Sequence, residues 1–255
     1  TAFRAAVQEL LGTPLPIKEF LKMTTGLNME PVDEEIIDDL KQIILKQAQQ
    51  QSRLPYQLFI SPLVKKENIL SYLEAQNKRI TNIIEGELNV RIPNTFTIDT
   101  VEEAPWGAFN HHVAPFASRI EINTTLELTE LDLDYLLIHE CLGGHHTELS
   151  LKDNLYIKEG RLEHSLICVF SPQSFISEGI AESACEIFGL ITSKSEEESL
   201  FLFFKALYNM MQLNAVFHIH HDGWDDDRLR EYFSEGNFWK KEDIEATIKF
   251  VTHPI

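Results

Sequence analysis

The octet HECLGGHH, His139 to His146, holds three imidazoles and one carboxylate within eight residues. Zinc hydrolases need such a set: neutral imidazoles to hold the ion, and a carboxylate beside them to take a proton from the water it acidifies. The spacing is not that of HExxH, in which the second histidine returns one helical turn later on the same face. Position 143, where that histidine would fall, is glycine. On an unbroken helix His139 and His146 would share a face yet stand about 10.5 Å apart along the axis. Zinc–nitrogen bonds of about 2.0–2.1 Å rule out joint ligation from there. The motif works only if the chain breaks at Gly143-Gly144, where two glycines give the freedom to re-aim a later histidine. His145 needs the smaller detour and is the preferred second ligand; His146 is the alternative, or else a residue of the surrounding shell. The plainer reading is a polar helix end, with His145 and His146 as cations that suit a helix C-terminus.

A second group follows in SEGIAESACE. Glu178 could supply the third ligand, since one-metal hydrolases often take it from a later helix and leave the fourth position to water. Glu178, Glu182 and Glu186 recur at i, i+4 and i+8 and so form one stripe. Beside apolar sequence on both sides, that stripe is costly unless a donor or cation faces it. Glu182 would then act from behind a ligand, orienting it, or bind a substrate amine. Cys141, inside the octet, reads as a small buried residue before it reads as a thiolate nucleophile. His111 and His112 lie in a turn-rich stretch and read as surface histidines. The run HIHHD, His218 to Asp222, is similar to part of the ligand run of dinuclear metallohydrolases, with Gly223 where the last histidine belongs. It reads equally as the end of a buried helix, or as a source of His220 for the His139 site.

Together HECLGGHH and EGIAESACE resemble a large, mainly bacterial and largely uncharacterised family of zinc metallopeptidases. Its signatures are His-Glu-x-x-Pro-Gly-His-His and Glu-Gly-Trp-Ala-x-x-x-Glu. SRIEINTT is similar to the family's strand ending in Asn, here Asn123, and HIHHDGW to its later Gly-x-His-x-x-Gly-Trp segment. The resemblance runs from about Ser118 to the end and implies a zincin-like fold. It implies His139, a histidine after Gly-Gly and Glu178 as zinc ligands, and Glu140 as general base. His220 would be a donor to the oxyanion of the tetrahedral intermediate. Gly143 replaces the family's proline, Ile180 its tryptophan and His218 a glycine, while Gln212 and Val216 stand where an arginine and an aspartate are expected. The family's closing Tyr-x-x-Gly would follow Ile255, so the chain reads as a piece of a longer one.

These residues need elements to hold them. The first ninety residues read as helices, the stretch 93–123 as two short strands (TFTIDT and SRIEIN) with turns between them. Helices then return, the first capped by Thr129 with acids at 130, 132 and 134. The expected fold is mostly α (α+β): a helical part over 1–92, then a zincin-like metal-binding part over 93–255 with a small β element before the metal helix, packed as one unit. SRIEIN is the expected edge for pairing with an extended peptide.

Composition narrows the function. The formal charge of −18 argues against nucleic acid, whose phosphates call for clustered Lys and Arg. It could draw cationic substrates, or simply solvate the surface. No uninterrupted apolar stretch approaches the roughly 20 residues of a membrane span. Three cysteines without a CxxC pair give no disulfide framework, which favours a reducing, cytoplasmic setting, though the start at Thr1 leaves an upstream export signal open. The expected activity is zinc-dependent hydrolysis of peptide or related amide bonds. The alternatives are a non-peptidase metallohydrolase built on His218, His220 and Asp222, and an inactive metal-binding module.

Overall fold

A computed structural model describes residues 2–58, 62–93, 95–104, 106–167, 171–191 and 194–252. The chain forms two compact units, one from residues 1–60 with 193–255 and one from 61–192. The division thus differs from an expected break at 92/93. Both chain ends build one unit, and the β element shares the other with the helices around it.

The first unit contains α1 (Ala2–Leu10), α2 (Ile17–Thr25), α3 (Glu34–Gln50), α8 (Glu196–His220), α9 (Asp226–Ser234) and α10 (Lys241–Thr252). Asp33 caps α3 by accepting from the Glu35 amide, and Glu34 and Glu35 sit where the helix dipole favours acids. Ile37, Ile44 and Ala48 recur on one face of α3 and bury against Leu207, Met211 and Ala215 of α8. The buried Asn214 ties the two helices: its amide accepts from the Val32 N–H (2.8 Å) and donates to the Val32 carbonyl (2.9 Å) and Glu34 (2.8 Å). Among the described helices α8 alone has the length and composition to cross a membrane. Leu200, Phe204, Leu207 and Met211 instead pack it into this core.

The second unit contains α4 (Ile69–Leu88), β1 (Phe96–Val101), β2 (Ala108–Ala114), β3 (Ala117–Asn123), α5 (Glu130–Glu140), α6 (His145–Glu159) and α7 (Pro172–Ile187). The strands form one sheet in the order β1-β3-β2, with β1 parallel and β2 antiparallel to β3. β2 lies inside the stretch expected to be turns; its sequence, AFNHHVA, lacks the β-branched alternation that marks strands. SRIEIN belongs to β3, which is the central strand. It is paired on both sides and cannot be the peptide-binding edge; the edges are β1 and β2. Ile120 and Ile122 alternate inward from β3, and α4 buries Ile69, Leu73, Ile80 and Ile84 in the same unit.

Thr129 starts α5 with a reciprocal cap. Its hydroxyl accepts from the Asp132 amide (3.2 Å), and Asp132 accepts from the Thr129 amide (2.9 Å). At the other end Cys141 caps the helix, Gly143 takes φ +95°, and the chain turns into α6 at His145. Gly144 is required here by space: a Cβ would stand 1.8 Å from the His139 carbonyl oxygen. The break at Gly143-Gly144 is therefore a packed turn between two helices.

Candidate metal centre

Three helices of the second unit converge. His139 comes from the last turn of α5, His145 from the first residue of α6, and Glu178 from the middle of α7. One donor atom from each lies within 4.8 Å of the others. His139 Nε2 is 3.6 Å from one Glu178 oxygen, and His145 Nε2 is 3.4 Å from the other. The imidazoles meet edge to face, centroids 4.9 Å apart. The next carboxylate along, Glu140, approaches His139 Nε2 to 4.0 Å.

Burial divides these groups. His139 and Glu140 are buried at 9% and 6% exposure, whereas the Glu178 side chain is 61% exposed. The site thus has a dry floor and an open lip. Burial pushes the Glu140 carboxyl up, against the pull of His139 and His145, so it binds a proton more readily than an ordinary glutamate. Hydrogen bonding to His139 and His145 holds Glu178 well below the usual carboxylate range, despite partial burial. For His145, burial works against the imidazolium, but the bond to Glu178 and its charge outweigh it and raise the value.

The far nitrogen of His139 is also engaged. The Tyr135 hydroxyl stands 3.4 Å from Nδ1, and Glu182 lies 4.0 Å from the same atom. Tyr135, pushed up first by burial and then by Glu182, keeps its proton and bonds to that carboxylate. Its oxygen is then free to accept from Nδ1–H, which leaves the Nε2 lone pair facing Glu178. Tyr135 belongs to no sequence motif, although its place four residues before His139 sets both on one helix face. Asn110 of β2 likewise carries no signal in the sequence: its side-chain amide donates to the Glu140 carbonyl at 2.6 Å and pins the end of α5. No sequence spacing links residue 110 to residue 140.

The other expected site residues have different surroundings. His146 is buried at 1% exposure, with Nδ1 2.8 Å from the Ser118 hydroxyl and Nε2 2.7 Å from the Pro93 carbonyl. Both nitrogens are taken, and burial lowers its pKa. It anchors α6 to the sheet and is no ligand here. Asn123 donates to the Ala104 and Trp106 carbonyls (2.9 and 3.0 Å) and accepts from the Thr125 amide (3.0 Å), so its amide is spent on shaping the β1–β2 connection. His220 is exposed on the last turn of α8, in the first unit, with no hydrogen-bond or ion-pair partner among the described residues. His218 pairs with Asp222 (2.8 Å) and stacks on Trp224, centroids 3.8 Å apart. Among the described residues this segment assembles no group of three metal donors.

His111 and His112 are half-buried rather than on the surface, facing Glu121 at 3.1 Å and Asp153 at 3.5 Å. Cys141 is fully buried, and burial pushes its thiol well up, which removes it as a nucleophile. Cys185 is buried as well and forms no disulfide among the described residues; Cys168 lies outside the described residues.

No protein-family model matches the chain, and no curated protein matches it. In fold it is similar to a candidate lipoprotein from Colwellia psychrerythraea, known from a crystal structure, with a TM-score of 0.69 at 14% identity. The match covers 93% of this chain and 45% of that protein, so the chain spans less than half of its length.

Proposed function

We propose that the chain is a zinc-dependent hydrolase of peptide or related amide bonds, a reading carried by the convergence of His139, His145 and Glu178 beside Glu140. Two imidazole nitrogens and one carboxylate oxygen suit zinc better than a hard cation such as Mg²⁺ or Ca²⁺, which prefers an all-oxygen set. Zinc bound there would polarise a scissile carbonyl and acidify water. The residues do the rest. Glu140, dry and raised in pKa, accepts a proton on a carboxylate oxygen and returns it to the leaving amine. Tyr135 and Glu182 hold the His139 ring so that Nε2 remains the donor. The exposed Glu178 leaves the approach to the site open. Main-chain pairing of an extended substrate, if used, falls to β2, the edge strand that touches Glu140 through Asn110.

Zinc content and peptide turnover, measured together in three proteins, test this reading. Wild type purified without chelator should carry one zinc and cleave peptides. Glu178→Ala should lose most of its zinc. Glu140→Gln should keep the zinc and lose turnover by about 10²–10⁴-fold, the usual weight of a general base. Wild type without zinc, or Glu140→Gln with undiminished turnover, would sink the proposal.

A further inference from the structure

α6 has a second face, away from the His145 ring. Between it and residues 90–93 lies a cavity of about 340 Å³, at the lower end of the roughly 300–1,000 Å³ of ligand pockets. Ile92, Pro93, Phe116 and Leu151 form apolar walls. Ser150, Asn154 and Lys158 line it at i, i+4 and i+8 along α6, and Arg91 lines it from the opposite segment.

The polar groups there are unused. Ser150 is 5% exposed, and its hydroxyl has no hydrogen-bond partner. A helical serine ordinarily turns its hydroxyl back to a carbonyl of the preceding turn, and leaving it buried and unpaired is costly. The Asn154 amide and the charges of Arg91 and Lys158 also lack partners among the described residues. Thr147 differs, since its hydroxyl donates to the Cys141 carbonyl and accepts from the Gly143 amide. Among the described residues no Asp or Glu lines the cavity, in a chain with 40 acidic and 22 basic residues. Two unpaired cations and two free donors against apolar walls describe the complement of an organic acid.

We propose that this cavity binds a small organic carboxylate with an apolar body. Arg91 and Lys158 take the carboxylate, Ser150 and Asn154 donate to it or to a neighbouring oxygen, and the body packs on Ile92, Phe116 and Leu151. The walls favour such a ligand over inorganic phosphate, which would leave polar oxygens against apolar carbon. The site is separate from the metal-donor cluster and does not depend on zinc.

Calorimetric titration of the whole chain with 4-methylpentanoate tests the proposal, with 4-methylpentanamide and inorganic phosphate as controls. One saturable site is expected, in the millimolar range or tighter, with no binding of the amide. The affinity should be unchanged in Glu178→Ala, which excludes a carboxylate bound at the metal-donor cluster. It should fall by about tenfold or more in the Arg91→Gln/Lys158→Gln double variant; both side chains are exposed, so the fold should survive. Ser150→Ala should also weaken binding while leaving the protein at least as heat-stable as wild type. No saturable heat up to about 10 mM, equal binding of the amide, or full affinity in the double variant would overturn the site. Tighter binding of phosphate than of 4-methylpentanoate would overturn the ligand class.

Discussion

Three side chains set the character of the metal-donor cluster, each through a different physical effect. Glu140 is tuned by desolvation, His139 is oriented by the partners on its far nitrogen, and Glu178 is tuned by two imidazoles. The last makes a pH prediction for protein stripped of metal. A carboxyl whose folded pKa lies below its unfolded value of about 4.3 adds stability above that value and loses it as pH falls through the folded one. Glu178 is solvent-exposed, so its share is discounted to a fraction of about 1 kcal/mol. The melting-temperature gap between wild type and Glu178→Gln should be widest near about pH 5 and should close on further acidification. A gap that stays constant would mean the ion pairs with His139 and His145 contribute nothing. The glutamates, His139 and His145 are legible from their types and spacing in the sequence. Tyr135, Asn110 and the true roles of His146 and Asn123 are not, because each depends on what the sheet brings across from residues 93–118.

At the level of elements, the turn joining α5 to α6 decides whether the cluster exists. The need for a break could be read from the spacing, since an unbroken helix separates the histidines. Its tightness could not, because the clash of Gly144 is with a carbonyl and leaves no trace in side-chain pattern. Gly144→Ala should therefore cost about 4 kcal/mol or more and abolish zinc retention. Gly86→Ala, within α4 and with nothing within 4 Å of the added Cβ, should raise stability by about 0.5–1 kcal/mol. Thermal unfolding and zinc content of the two variants check both; a well-folded, zinc-bearing Gly144→Ala would show that the turn can relax. The helices were readable from caps and period. β2 was not, since its pairing with β3 is a tertiary event that local propensity does not foretell.

Across the whole molecule, net charge −18 opposes compactness through self-repulsion. Raising ionic strength from about 0.01 M to about 0.15 M shortens the screening length from about 30 Å to about 8 Å, and the melting temperature should rise with it. A fall would mean that attractive pairs outweigh the excess of acids. The division into units was the least legible feature, because α3 and α8 meet across more than a hundred residues and nothing in either announces its partner. That division has a consequence for synthesis. A ribosome finishes residues 61–192, with every candidate zinc ligand among them, before it makes the helix that covers Ile37 and Ile44. During that interval the first helices are an unburied apolar surface in search of cover, while the metal-donor unit already has its whole complement of chain. The candidate metal donors are thus complete in the chain before the first core can close, and the final sixty or so residues close a core that the first sixty opened.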